Sequence, residues 1–474
     1  MVGKFEAGAA IRSISPDESW FQARRGALGR GTANGYRSHS FTEGVAEPIF
    51  TRTLVTRQDD HLLVLITADL ITIENWLVSR VREQLGRTAG FEHAQIAVTA
   101  SHTHSAPPYG EDEPYGAWIT SQLVQSAEDA AADLEPVAIG ATHGYCSEIC
   151  YYERIPITAE NAASLGVDAK HIGGIKHSRD HLESRLASGP IDPQVGVVRI
   201  DRLDGSPKIV LVHYTAHPAI EIEPPHVSPD FVGYTMKKIQ SEVPGATPIF
   251  CQGAAGAVNI NNIFGSLDHA RRHGEVLADE VLRVLDSIQT TDEVQSAYAS
   301  RSSYLEHSSI PPVEELDEEI AFCRDFLEGL DRNPDDVWLG YGPYTVNLPP
   351  GFDRDARRRL VERRMTLTEQ VRGCSGEIFE PLSLELQMFR WNEIALILNP
   401  LQLFVQLGLE IKRLSRHRYT FPVCFTGGGT SPYIGPAEEV ARGGYHFTPF
   451  QPARWAPGNA LRLVDEMAEL ANTY

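Results

Sequence analysis

The sequence predicts an α/β fold built on a mixed, layered sheet, and three observations carry that prediction. The run Leu62, Leu63, Val64, Leu65 and Ile66 is apolar on both faces, as in a central strand covered on each side. A helical pattern follows, with Leu77, Val78, Val81 and Leu85 on one face and Gly86 as its stop, and then a strand over 95–100 rich in β-branched and small residues. Strand, helix and strand at this spacing make a βαβ unit, whose strand carboxyl ends carry the chemistry. Further on, 195–201 and 208–215 read as a hairpin about Asp204 and Gly205, a turn-forming pair.

The remaining elements fill in around this unit. Residues 1–48 lack periodicity and are rich in Gly, Arg and Ser, which predicts a long irregular start. Residues 51–57 form a strand ahead of 62–66, and an amphipathic helix over 117–134 buries Ile119, Leu123, Val124, Ala127 and Ala131. Residues 145–190 carry no clear period. A short helix with Met236 and Ile239 precedes a buried strand at 247–251 and a small-residue loop from Gly253 to Asn259, suited to a close backbone approach. Helices follow at 267–285, 314–328 and 354–371, and the stretch 300–380 reads as a helical insertion. A hairpin at 383–389 and 393–398, a helix at 401–413 and a strand at 420–425 complete the chain. No linker or repeat divides it, so residues 1–474 are expected to form one large domain, despite a length above the usual single-core size.

Composition narrows the function. Against 42 basic residues stand 63 acidic ones, a formal charge of −21, which argues against nucleic acid or an anionic membrane surface as a partner. The first residues contain no apolar run of signal-peptide type and nothing later resembles a membrane span, so a cytoplasmic location is expected. A small-molecule substrate is the expected partner, and a homo-oligomer is left open. Six cysteines show no Cys-x-x-Cys clustering, which reads as reduced thiols, with Cys146 and Cys150 half-buried structural residues.

The chemistry concentrates at strand ends. His102 and His104 follow the strand at 95–100, before Pro107 and Pro108. At period 2 they point the same way, and two convergent imidazoles can share a cation or divide ligand and acid/base roles. With 17 histidines in 474 residues, chance alone supplies roughly 0.6 such pairs, so the spacing needs company. It has some: His217 ends a strand before Pro218, whereas His213 lies inside that strand, and Asp69, His226, Asp230 and Tyr433 sit in or beside other loops. A phosphate-binding reading of the loop at 252–259 lacks the terminal Lys-Ser/Thr.

Taken together and in order, Thr99 to Ser105, Ala216-His217-Pro218, Ser228-Pro229-Asp230-Phe231, Phe250 to Gly256, and Pro400 to Lys412 followed by Tyr433 to Tyr445 resemble the catalytic domain of the neutral (non-lysosomal) ceramidases. The likeness runs over nearly the whole chain. It implies an α/β, mixed-sheet layered fold of neutral-ceramidase type with no immunoglobulin-like C-terminal domain. It also implies zinc-dependent amide hydrolysis, with His102, His217, the residue at 402 and Tyr433 as zinc ligands and His104 as the catalytic histidine. Arg154 and Tyr445 match the residues that hold the substrate's polar end and the developing oxyanion, while Gly253, Asp230 and His226 are expected at the substrate.

Two positions depart from the family pattern. Gln402 stands where the family has glutamate, and Ala257 follows Gly256 where the family has aspartate. Gln402 keeps a carbonyl oxygen but removes a negative charge from the metal's ligands, which lowers affinity and makes a bound water more acidic. The sequence therefore leaves two readings. One is a zinc-dependent hydrolase of a small soluble amide. The other is a metal-free or altered-metal relative, hydrolysing an ester or lactone or binding a small molecule without catalysis, with Asp69, Asp230 or His226 as alternative donors.

Overall fold

The computed structural model describes residues 3–24, 44–59, 61–89, 91–178, 183–187, 189–220, 226–263, 265–308, 310–332, 338–339, 346–347, 354–373, 380–428, 431–444, 446–447 and 455–473. Its frame is an eight-stranded mixed sheet. The strands are β1 (Glu6–Ser13), β2 (Phe50–Gln58), β3 (His61–Ala68), β4 (Ile96–Ala100), β5 (Glu135–Tyr145), β6 (Gln194–Arg202), β7 (Pro207–Tyr214) and β8 (Thr247–Gln252). They lie in the order β8-β7-β6-β5-β1-β2-β3-β4. A second sheet of four strands follows the chain order, β9 (Ser296–Leu305), β10 (Leu382–Trp391), β11 (Ile394–Leu398) and β12 (Tyr419–Val423).

Alternation along the strands explains why the two sheets stack. Leu63 and Leu65 of β3, Ile209 and Leu211 of β7, and Ile249 and Cys251 of β8 face Phe389, Trp391, Leu396, Leu398, Phe421 and Val423 of the second sheet in one buried cluster. The intervening residues turn the other way: Val64 and Ile66 meet helices α1 (Asn75–Ala89) and α2 (Pro114–Ala132), and Val210, Val212 and Phe250 meet α3 (Asp230–Glu242) and α4 (Leu267–Leu285). On the far side, Leu386, Met388, Ala395 and Ile397 pack on α5 (Val405–Leu414) and α6 (Asn459–Ala471). The result is four layers, helices outside and two sheets within.

Three connections are parallel crossovers: β3-α1-β4, β7-α3-β8 and β11-α5-β12. Their carboxyl ends meet, since Ala100 N–H donates to Phe425 O (3.1 Å), Cys424 N–H to Gln252 O (2.9 Å) and Gly427 N–H to Val98 O (2.8 Å). Strand ends from both sheets are thus stitched together at one place.

Several expectations need correcting. The start of the chain is not irregular throughout, because β1 lies between β5 and β2 at the middle of the large sheet; its Ala- and Gly-rich sequence lacks the bulky alternation that marks a strand. Gly86 does not stop α1, which continues to Ala89. The stretch 300–380 does hold a helical pair, Val313–Arg332 and Arg354–Gly373, but β9, an edge of the second sheet, runs into it. The helix expected from 401 begins at Val405, because Gln402–Leu403 forms a two-residue strand parallel to Tyr433–Ile434. Cys146 and Cys150 are buried outright, at 1% and 4% exposure. No helix among the described residues is long and apolar enough to cross a membrane.

Candidate metal centre

Each crossover delivers one part of the site. His102 and His104 follow β4, His217 follows β7, Gln402 follows β11, and Phe425 follows β12. His102 does not continue the pleat: its φ is +67°, a left-handed conformation uncommon outside glycine. Backbone bonds from Ser101 N–H to Ala68 O and from His102 N–H to Leu70 O, both 2.9 Å, hold this turn. The two histidines therefore converge through a turn, with ring centroids 4.9 Å apart, rather than by strand alternation. His217 completes the group at 4.7 Å from His102 and 5.4 Å from His104. Phe425 stacks on His102 at 3.8 Å and fixes its ring plane.

Tautomers follow from the partners. His102 Nδ1 lies 2.6 Å from Ile71 O, and His217 Nδ1 lies 2.8 Å from Ala255 O. A carbonyl oxygen only accepts, so each Nδ1 carries the proton and each Nε2 offers a lone pair. Burial lowers the pKa of both rings, with the neighbouring His217 adding to the effect at His102, so both are neutral at pH 7. Yet the two Nε2 atoms face each other at 3.0 Å. Two acceptors at that distance repel unless a cation sits between them. Ligands bound at about 2.1 Å with bond angles of 90–110° lie roughly 3.0–3.4 Å apart, so this spacing suits zinc.

The other expected ligands lie alongside. Gln402 pairs in register with Tyr433, whose ring stands 6.5 Å from His217, nearly parallel to it. The Gln402 amide donates from Nε2 to Ser431 O at 2.9 Å, and its Oε1 is buried with no hydrogen-bond partner. An orphaned buried acceptor costs about 1–3 kcal/mol, and a cation would relieve it. The loop after β8 braces both sides: Ala255 O holds His217, while Gly256 N–H donates to Leu403 O at 2.8 Å. A Cβ on Gly256 would come within 2.8 Å of Phe404 and 2.9 Å of Gln402 O, which is why glycine stands there. His104 differs from its neighbours in being half-buried as a residue, although its Nε2 is itself shielded from solvent.

The remaining expected site residues are placed as follows. Gly253 approaches Thr215, whose Oγ1 an added Cβ would meet at 2.3 Å. Asp230 is fully buried and accepts from Ile220 N–H (2.9 Å) and Phe231 N–H (2.6 Å), fixing the start of α3. Asp69 accepts from Phe50 N–H and Arg52. His226 is half-buried. Tyr445 lies outside the described residues.

Arg154 is fully buried and belongs to a second group. Its Nε donates to Glu439 Oε2 (2.7 Å), its Nη2 to the carbonyls of Glu439 (3.0 Å) and Gly443 (2.8 Å), and its Nη1 to His446 Nδ1 (2.9 Å). Since guanidinium only donates, His446 Nδ1 accepts, and His446 Nε2–H donates to Glu153 Oε1 at 2.8 Å. Glu153, His177 and His446 could reach one cation by distance. The proton on His446 Nε2 occupies the place a metal would need, so this group is a hydrogen-bonded relay and not a second metal site. Glu153, His177, His446 and Phe425 were not foreseen from the sequence. Glu153 and His446 adjoin two residues that were, Arg154 and Tyr445, and His177 carries no local signal.

The fold and site define a layered mixed α/β protein with a histidine centre at the ends of parallel crossovers. That architecture is the neutral-ceramidase fold. The chain is similar to a neutral ceramidase from Pseudomonas aeruginosa, with a TM-score of 0.64 and 17% identity over 99% of this chain and 74% of that one. It is likewise similar to a ceramidase complexed with C2, with a TM-score of 0.65 and 17% identity over 99% of this chain and 75% of that one. No protein-family model and no curated protein matches.

Proposed function

We propose that the protein is a zinc-dependent hydrolase of an amide bond in a small soluble substrate. The observation that carries this reading is the pair of neutral imidazoles presenting Nε2 lone pairs to each other at 3.0 Å. His102 and His217 would hold the ion, with Gln402 Oε1 and Tyr433 completing its surroundings. The likeness to ceramidases, shared in fold, supports amide hydrolysis as the reaction class. When bound, zinc supplies an acidified water and a Lewis acid for the substrate carbonyl. His104, its ring 4.9 Å from His102 and 5.4 Å from His217, would move protons between that water and the leaving amine. Arg154 acts through His446 rather than on substrate, since four of its N–H groups are engaged by protein. The substrate is a small amide rather than ceramide, with an ester or lactone next in line; the product pair is a carboxylate and an amine.

Metal content by elemental mass spectrometry tests the proposal, on protein purified without chelators or a metal-affinity tag. About one zinc per chain is expected in the parent, none in His102→Ala or His217→Ala, and tighter retention in Gln402→Glu. Zinc-loaded parent should release amine from simple N-acyl amines, and His104→Ala should keep its zinc and lose turnover by about 10²–10⁴-fold. A parent devoid of zinc whose Gln402→Glu variant takes it up would mean that the centre has been retired, and would favour the metal-free reading.

A further inference from the structure

We propose that Glu153 supplies, from behind His217, the negative charge that the candidate metal centre lacks among its own ligands. This rests on the zinc reading above. His102, His217 and Gln402 are neutral donors and Tyr433 adds a phenol rather than a carboxylate, so a divalent ion there would sit in a buried site with little charge to balance it. Glu153 is the carboxylate built toward that site from the other side. Its backbone N–H donates to Ala257 O at 3.1 Å, and the His217 N–H donates to Val258 O at 3.0 Å, so both residues flank the same short strand, Val258–Ile260. His217 also bridges Asn259, whose Nδ2 donates to Glu153 Oε2 at 2.5 Å. The carboxylate and the ligand are thus both tied to one short strand, and the charge of Glu153 is felt at the His217 ring.

The surroundings keep this carboxylate ionised. Burial pushes its pKa up, but His177, 3.7 Å away, and His446, 2.8 Å away, outweigh burial and hold it well below the ordinary range. The relay explains how: Arg154 locks His446 in the tautomer that donates to Glu153, while the Arg154 charge itself is matched by Glu439. Tyr433 lies between the two groups, its ring 4.6 Å from His446 and 6.5 Å from His217. Glu153 touches no substrate in this arrangement. It is a positioning residue that acts on the ion through the field at His217, whose own Nδ1 is held by Ala255 O; groups hydrogen-bonded directly to a ligand change metal affinity by about 10–100-fold, which sets the upper scale.

Zinc affinity measured by competition with a chromogenic chelator, on the full chain, tests the idea. Glu153→Gln should raise the zinc Kd by about 10–100-fold. Glu153→Asp, which keeps the charge, should stay within about threefold of the parent. Gln402→Glu should raise the affinity more in the Glu153→Gln background than in the parent, a non-additivity that a merely structural role for Glu153 would not produce. If Glu153→Gln fails to fold, Glu153→Asp and Gln402→Glu still decide. A Glu153→Asp loss as large as that of His217→Ala, or a Gln402→Glu gain above about a hundredfold in the parent, overturns the proposal. If the parent binds zinc, loses it with His102→Ala and keeps it unchanged in Glu153→Gln, only this proposal fails. If the parent binds none, the hydrolase reading and this one fall together.

Discussion

At residue scale the two histidine groups look alike and differ in one proton. Around His102 and His217 both Nδ1 protons point to backbone carbonyls, leaving two lone pairs face to face. Around His446 the Arg154 guanidinium takes Nδ1, leaving Nε2–H to donate to Glu153. The first arrangement calls for a cation and the second is complete without one. Arg154 is therefore expected to matter for folding before it matters for turnover. Arg154→Ala would remove one of the two arginines paired with the buried Glu439, leaving it to the part-exposed Arg442, and breaking a buried pair costs up to about 3–5 kcal/mol. Urea unfolding checks this, and an Arg154→Ala midpoint equal to the parent's would show that the arginine is held for substrate instead. Of these residues the sequence made His102, His104 and His217 legible, because each follows a readable strand, whereas Arg154 lies in a stretch without clear period and is named only through the family resemblance. The Glu153 group was not legible, since Glu153, His177 and His446 lie 24 to 293 positions apart and only the folded chain joins them.

At element scale the crossovers were readable because their patterns are long and strong. The strand at 62–66, the helix after it and the strand before His102 emerged in order, and α4 was expected at its observed limits, Leu267–Leu285. The errors arose where local composition and tertiary context disagree. Gly86 reads as a helix stop, yet α1 runs through it for another three residues. Among the described residues outside the helix's own backbone, a Cβ added there would meet Phe91 O at 3.5 Å, an ordinary contact, and the backbone is not left-handed. Gly86→Ala should therefore stabilise the protein by about 0.5–1 kcal/mol through the lower entropy of the unfolded chain. A lower urea midpoint for Gly86→Ala would mean that the helix end needs the glycine after all. Gln402 shows the same lesson at the site: local pattern extends the helix back over it, while pairing with Tyr433 draws it into a strand.

At the scale of the whole molecule the layers bury an unusual set of neutral imidazoles. Burial lowers the pKa of His102, His213 and His217, and drives His446 down to about 3 against the tug of Glu153. In the unfolded chain these rings titrate near the ordinary value of about 6.5. Between the folded and unfolded values the unfolded state binds more protons, so stability rises with pH; it is complete above about 6.5 and is lost as pH falls below it. Each such ring contributes a slope of up to about 1.4 kcal/mol per pH unit. His213 isolates the effect, because it lies inside β7 rather than beyond its end with His217, and its Nε2–H meets Pro422 O at 2.8 Å, a bond a glutamine amide can replace. With a chelator present, so that protons alone titrate the rings, parent stability should stay level from pH 8 to 7 and fall steeply from 6.5 to 5. His213→Gln should show a slope shallower by about one proton, and a variant slope as steep as the parent's would place the acid sensitivity elsewhere. The same burial that makes the protein acid-sensitive keeps His102 and His217 unprotonated at neutral pH, so the four-layer fold that removes these rings from water also readies their lone pairs for a metal.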